Sequence, residues 1–327
     1  MCSFMKYINI PDTDLIISHV AASFGPKDGD MDEKESFRLI DTYADKGGTF
    51  LDVANVYGRS LPGNLPRNEI WLGRYFKERQ NRHKFVLDSK GGALNPWAKH
   101  IKRVTPKDLA LDLEDSLKNL GTDFLDYYWV HVDDPSEPVG EILEVLNQFC
   151  KEGKIRYFGC SNWSSQRMEE ANAYAKAHGI KGFTANQVMK NLAHPNLEAI
   201  WADGMTYITE DIEAYHIRTQ IPVFAYTAAA RGYFSVVDQP GYDQDHRYVS
   251  NRTLFDNTIS RKRAQAVRKL GDEMGWDPTQ IAIAYLYHQH YPVVPVIGVT
   301  QEQEIETAIK AMEIHLTAEM LQAITVE

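Results

Sequence analysis

Short apolar runs alternate with longer amphipathic stretches along the whole chain, and that alternation constrains its fold more than any other feature. Eight runs read as strands: Leu15–Ala21, Thr49–Asp52, Phe85–Ser89, Leu125–Val130, Tyr157–Cys160, Phe183–Gln187, Val223–Tyr226 and Val293–Ile297. Several are rich in Val, Ile and Phe, and Gly, Asp, Ser or Asn stand at many of their ends. Such runs suit strands buried on both faces of a parallel sheet.

Helical patterns fill the intervals. Asp32–Lys46 places Phe37, Ile40, Tyr43 and Ala44 at three- and four-residue spacing. Thr105–Leu120 opens on an N-cap threonine, follows it with Pro106 and Asp108, repeats Leu109, Leu113, Leu117 and Leu120, and stops at Gly121. That is a start-and-stop grammar for a helix. Glu137–Lys151, Ser164–His178, Asp211–Thr219, Ser260–Met274, Pro278–His290 and Gln301–Met312 read likewise.

Eight strand–helix units predict an α/β fold, a closed (β/α)8 TIM barrel. An open doubly wound sheet is the rival, but no G-x-G-x-x-G follows the first strand or any other. Met1–Asp14, with a Pro11-Asp12 turn, reads as an N-terminal β-hairpin closing one end. Leu316–Ile324, capped by Thr317, reads as an extra helix. No linker interrupts the pattern, so residues 1–327 are expected to form a single domain. Long loops are expected at 58–68, 91–104, 190–207 and 232–258.

In such a barrel the C-terminal strand ends converge on one face, where catalytic side chains gather. Asp52 with nearby Tyr57, then Lys90, then His131 stand at three successive strand ends. Singly, each has an ordinary explanation: a turn cap, loop packing, a solvated lysine, a core histidine. Together they make a chemical set. An ammonium beside a tyrosine hydroxyl favours the phenolate and lowers its pKa. A carboxylate keeps that ammonium charged and in place. A neutral histidine can orient a carbonyl. Such a site delivers a proton to an oxygen that is gaining negative charge, and it needs a hydride source, usually a nicotinamide.

These residues lie in segments that resemble the aldo-keto reductase superfamily. Thr49-Phe-Leu-Asp52-Val-Ala-Asn-Val-Tyr57-Gly58 resembles the family's D-T-A-x-x-Y-G signature, with Val53 in place of the common Thr. Gly153-Lys-Ile-Arg-Tyr-Phe-Gly-Cys-Ser161-Asn162-Trp163 resembles its G-K-I-R-x-x-G-x-S-N signature. Val86-Leu-Asp-Ser-Lys90-Gly91 is similar to the lysine strand and Asp126-Tyr-Tyr-Trp-Val-His131 to the histidine strand. Asn186-Gln187-Val188 and Ile221-Pro-Val-Phe-Ala-Tyr226 extend the match, which runs over residues 6–325.

The resemblance implies an oxidoreductase that interconverts an aldehyde or ketone with its alcohol, acting on a small-molecule substrate. Tyr57 would be the general acid or base, tuned by Lys90 and Asp52, with His131 orienting the carbonyl. Ser161, Asn162 and Gln187 would hold the nicotinamide carboxamide, and Tyr226 would stack on its ring. The loop Thr227-Ala-Ala-Ala-Arg231-Gly232 stands where the family has S-P-L-x-x-G, and its backbone would face the pyrophosphate. Gly298, Thr300 and Glu304 lie in the segment that usually meets the adenosine end. No Lys or Arg occurs between Pro295 and Ala308, and Glu304 is set against a 2′-phosphate by its charge. The family implies NADP(H); those residues leave NAD(H) open. Trp97, Trp129 and Trp163 lie near the expected mouth and are candidates for the substrate wall, with core packing as the alternative for each. His19 and Asp133–Asp134 are further candidates for the rim.

The net charge of −10 disfavours nucleic acid as a partner. No apolar run approaches the roughly 20 residues that span a bilayer. Three cysteines, with no C-x-x-C, point to neither a disulfide framework nor structural zinc. A soluble chain of a reducing, cytoplasmic compartment is expected. Oligomeric state is left open. Two other functions fit parts of the pattern: a metal-dependent barrel hydrolase, and a nicotinamide-binding regulatory subunit without turnover.

Overall fold

The computed structural model describes residues 4–26, 31–93, 102–202 and 204–327. A two-stranded antiparallel hairpin comes first, β1 (Tyr7–Asn9) with β2 (Ile16–Ser18). Eight parallel strands follow: β3 (Ala21–Phe24), β4 (Phe50–Leu51), β5 (Val86–Gly91), β6 (Leu125–Val130), β7 (Ile155–Ser161), β8 (Asn186–Met189), β9 (Val223–Tyr226) and β10 (Val293–Val299). They pair in sequence order, and β10 joins both β9 and β3, which closes the barrel.

The helices are α1 (Glu33–Asp45), α2 (Arg67–Arg79), α3 (Pro106–Leu120), α4 (Val139–Lys151), α5 (Ser165–His178), α6 (Leu197–Ala202), α7 (Glu210–Thr219), α8 (Tyr233–Val236), α9 (Val249–Phe255), α10 (Thr258–Met274), α11 (Pro278–Tyr287), α12 (Glu302–Ala311) and α13 (Ala318–Ile324). Their ends follow local chemistry. The Thr105 hydroxyl accepts from Asp108 N–H, and Gly121 closes α3 in the left-handed region. Asp277 and Gln280 form a reciprocal capping box on α11. Among the described residues, no helix is long and apolar enough to cross a membrane.

Two apolar layers result. The outer one lies between helices and strands and takes in Leu109, Leu113, Ile142, Leu146, Ile281 and Ile305. The inner one fills the barrel with Phe50, Tyr127, Trp129, Phe224, Val294 and Val296. Ile10, Leu15 and Ile17 of the hairpin join this inner layer and floor the barrel.

The first apolar run behaves differently from its sequence expectation. It splits, with Ile16–Ser18 pairing back on Tyr7–Asn9 and only Ala21 onward entering the barrel. Ser18 causes the bend. Its hydroxyl donates to Val20 O (2.8 Å) and accepts from Thr49 N–H (3.1 Å) and Phe50 N–H (3.3 Å). The run expected at Phe183–Gln187 pairs at Asn186–Met189 instead, because Asn172 of α5 holds both backbone groups of Phe183.

Helix α2 has no counterpart in the sequence expectation. Pro66 gives it no side-chain cap, and two of its buried residues, Asn68 and Glu69, are polar. The expected loops at 190–207 and 232–258 carry α6, α8 and α9, with Tyr233, Tyr242 and Phe255 buried.

Candidate active site

Strand alternation sends every second side chain inward. Phe50 then Asp52, Val86 then Asp88 then Lys90, and Tyr127 then Trp129 then His131 therefore rise through the barrel in register. Lys90 is wholly buried. Its ammonium donates to Asp52 Oδ1 (2.8 Å) and to Val53 O (2.8 Å). Asp52 Oδ1 also accepts from Gln187 Nε2 (2.8 Å), which ties β8 to the same centre.

Tyr57 sits on the turn after β4. The Lys90 ammonium lies 4.9 Å from the centroid of its ring, and the His131 ring meets it edge-on at 5.9 Å. The turn is pinned from below. Asn55 N–H donates to Lys90 O, and Arg59 Nε donates to Asn55 O (2.8 Å) while its fork reaches Asp115 of α3 (2.9 Å). Glu69 of α2, fully buried, accepts from Ser89 Oγ (2.6 Å) and Asn119 Nδ2 (3.0 Å) behind it.

The electrostatics follow from burial first. Tyr57 keeps part of its surface accessible, yet burial pushes its pKa up to about 12, with Lys90 pulling it down. The sequence expectation had the lysine dominating; here desolvation outweighs it. Burial depresses the Lys90 ammonium, but Asp52, Tyr57 and Asp88 together hold its pKa above the ordinary value. Burial, with Lys90, takes His131 down to about 3, so it is neutral at ordinary pH. Its Nδ1 is buried and has no hydrogen-bond partner.

The expected nicotinamide residues reach the same mouth. Ser161 pairs in register with Gln187, and Met189 with Tyr226. Asn162, in the left-handed region (φ 61°), donates to His131 O (3.0 Å) and Ser161 Oγ (3.1 Å), and its Oδ1 accepts from Tyr226 Oη (2.7 Å). Two amides, a hydroxyl and a partly open aromatic ring on adjacent strands suit a carboxamide on a flat ring. Arg231 and Gly232 follow β9 with positive φ (53° and 75°), and Arg231 is exposed. Gly298 is the last residue but one of β10, the neighbour of β9 in the sheet. Glu304 turns back on the start of α12, where Oε2 accepts from Thr300 N–H (2.6 Å), Thr300 Oγ1 (3.1 Å) and Gln301 N–H (2.9 Å).

Several expected rim residues lie elsewhere. Trp129 is sealed inside the barrel, one inward position below His131, and donates to Asp88 Oδ2 (2.6 Å). Trp163 is sealed on the outside, against Phe183 (4.9 Å) and the Arg167 guanidinium (5.1 Å). Neither offers a ring face to a ligand. Trp97 lies outside the described residues. His19 is at the opposite end, bonded to Val293 O (3.0 Å) at the start of β10. Asp133 is held by the Arg167 fork (3.0 and 3.1 Å) and Asp134 by Ser136.

Asp88 was not singled out from the sequence. The signal was there, since it sits two residues before Lys90 and must share its inward face. Among the described residues, no group of three or more His, Cys, Asp or Glu is placed to hold a metal ion.

Comparison with known proteins fits this geometry. Norsolorinic acid reductase A of Aspergillus parasiticus is 26% identical over 302 residues, covering 90% of this chain and 72% of its own length. An aryl-alcohol dehydrogenase of Phanerodontia chrysosporium, named for NADP(+), is 26% identical over 313 residues, covering 90% and 76%. A thermostable aldo-keto reductase crystallised with the inhibitor epalrestat superposes with a TM-score of 0.71 at 21% identity, covering 98% of this chain and 99% of that one. The model of the Aldo/keto reductase family matches residues 21–326, and the chain belongs to that family.

Proposed function

We propose that this protein interconverts an aldehyde or ketone with its alcohol, using a nicotinamide dinucleotide and Tyr57 as the proton donor or acceptor. The observation that carries this reading is the buried Lys90 ammonium, fixed between Asp52 and the Val53 carbonyl with the Tyr57 ring beside it. Tyr57, raised to about 12, is protonated at neutral pH and can give its proton to a carbonyl oxygen in reduction. The nearby ammonium eases the phenolate that remains. Neutral His131, whose ring stands edge-on to that of Tyr57, can hydrogen-bond the same oxygen and fix its direction.

A bound nicotinamide would supply or accept the hydride. Ser161, Asn162 and Gln187 would hold its carboxamide, and the Tyr226 ring would lie against it. Arg231, Gly232, Gly298 and Thr300 would meet the remainder of the dinucleotide. Family resemblance favours NADP(H), but Glu304 already occupies the amides at the start of α12 and carries like charge toward a 2′-phosphate. That contact supports NAD(H) as the alternative.

The relatives named for norsolorinic acid and aryl alcohols point to aromatic carbonyl compounds as the first substrates to try. The test is a turnover screen of aromatic aldehydes and ketones with NADH and NADPH, with wild type and Tyr57→Phe side by side. Tyr57→Phe is expected to lose at least about 100-fold in kcat, the usual reach of general acid catalysis. Undiminished turnover in that variant would sink the assignment. Cofactor binding with no turnover on any carbonyl would instead favour the regulatory-subunit reading. The metal-hydrolase reading places a cation where Lys90 already puts one, and the site gives it no support.

A further inference from the structure

Asp88 has no accessible surface, and it lies among Phe50, Tyr127, Trp129 and Phe224 inside the barrel. A carboxylate there is costly unless its oxygens are matched. Both are. Oδ1 accepts from Val53 N–H (2.9 Å) and Oδ2 from the Trp129 indole N–H (2.6 Å). Both partners can only donate, so this contact set suits the carboxylate rather than the acid.

Val53 is the link to the reacting groups. Its N–H is held by Asp88, and its own carbonyl accepts from the Lys90 ammonium (2.8 Å). The groups facing this centre are Asp52 beyond β4, Tyr57 on the turn after it, Lys90 on β5, and Tyr127 and His131 from β6. One ammonium therefore stands among two carboxylates. Burial and the Asp52 charge push the Asp88 pKa well above the ordinary carboxylate range, while Lys90 and the two N–H donors pull it back.

We propose that Asp88 is a positioning residue for the chemistry of Tyr57: by gripping the Val53 peptide it fixes the carbonyl on which the Lys90 ammonium rests, and its charge is the second counter-ion of that ammonium. This rests on the reading of Tyr57 and Lys90 as the catalytic pair. The simpler alternative is that Asp88 only satisfies the Trp129 indole.

The two are separated by kcat and KM for benzaldehyde reduction between about pH 5 and 9, measured on the full chain. Asp88→Asn keeps the volume and removes the charge. It is expected to lower kcat about tenfold at neutral pH, with KM changed by less than about threefold. Wild-type kcat is expected to fall on the acid side as Asp88 takes up its proton. Asp88→Asn lacks that fall, so the two profiles converge at low pH. A ratio constant at every pH, or equal kcat, overturns the proposal.

Trp129→Phe covers the case in which Asp88→Asn does not fold. It strips one donor from the carboxylate, and the acid-side fall should move up by about one pH unit. An unmoved fall counts against the proposal. A ligand-free readout is the melting temperature. The native chain holds a proton on Asp88 above the pH where the unfolded chain has lost it. Wild type should therefore lose stability relative to Asp88→Asn as pH rises through that window; parallel curves overturn the charge role. Tyr57→Phe keeps the two failures apart. If it is fully active, the catalytic reading itself is wrong. If it is inactive while the Asp88 results go the other way, only the role of Asp88 falls.

Discussion

Desolvation, more than any neighbouring charge, sets the proton behaviour of Tyr57 and His131, whereas at Lys90 the surrounding negative groups together overcome it. The tyrosine and lysine could be paired from strand-end positions alone, and the pairing is present, but how deeply each is sunk could not be read from the chain. Tyr57 is raised rather than lowered, and His131 is driven down to about 3 by burial and by Lys90. The histidine has a stability consequence. Its folded pKa is depressed below the unfolded value of about 6.5. Between those values the unfolded chain binds more protons, so stability is lost as pH falls from about 6.5 toward 3. Melting curves across that range should flatten in His131→Asn; an identical slope would show that His131 is not the group responsible. Trp129 and Trp163 mark the limit of residue-level inference. Being near a strand end is legible, but which way a ring faces depends on alternation and on the left-handed turn at Asn162, and both rings are sealed away.

Elements were legible where local chemistry marks their ends. The caps at Thr105 and Thr317 fall where the sequence places them. Helix α2 was hidden because its buried face includes Asn68, which donates to Phe24 O at the end of β3, and Glu69, which accepts from Asn55 of the turn that carries Tyr57. The first strand was misjoined because the bend at Ser18 is a tertiary contact with Thr49 and Phe50, some thirty residues on. Ser18→Ala leaves those two N–H groups without that oxygen and should cost about 2–4 kcal/mol in urea unfolding. A change below about 0.5 kcal/mol would mean that the bend is held by other contacts. Just past the C-terminal end of β10, on the face of the site, Glu304→Gln keeps an acceptor for the start of α12 while removing its charge. NADPH binding, followed by fluorescence quenching, should tighten relative to NADH by at least about threefold. An unchanged ratio would place the 2′-phosphate away from this helix.

At the scale of the whole molecule, closure of β10 onto β3 is what assembles the site. Asp52, Lys90, His131, Ser161, Gln187 and Tyr226 come from six different strands or strand ends, and only a closed ring brings them to one mouth. The hairpin is the opposite pole, with Ile10, Leu15 and Ile17 flooring the inner layer. Deleting residues 4–14 should expose that floor, lower the melting temperature and raise binding of an apolar dye; unchanged dye binding would show that the barrel seals itself. The sequence by itself determined the strand–helix alternation, the capped helices, the closed-barrel class and the polar residues at strand ends, because these depend on periodicity and on neighbours within a few positions. Tertiary structure alone decided that Trp129 and Trp163 are sealed away, where the first strand begins, how far burial moves Tyr57 and His131, and that Asp88 meets Lys90 through the Val53 peptide. Each of those depends on contacts between strands distant in sequence, and a charge or a ring takes its character from the solvent that such contacts remove.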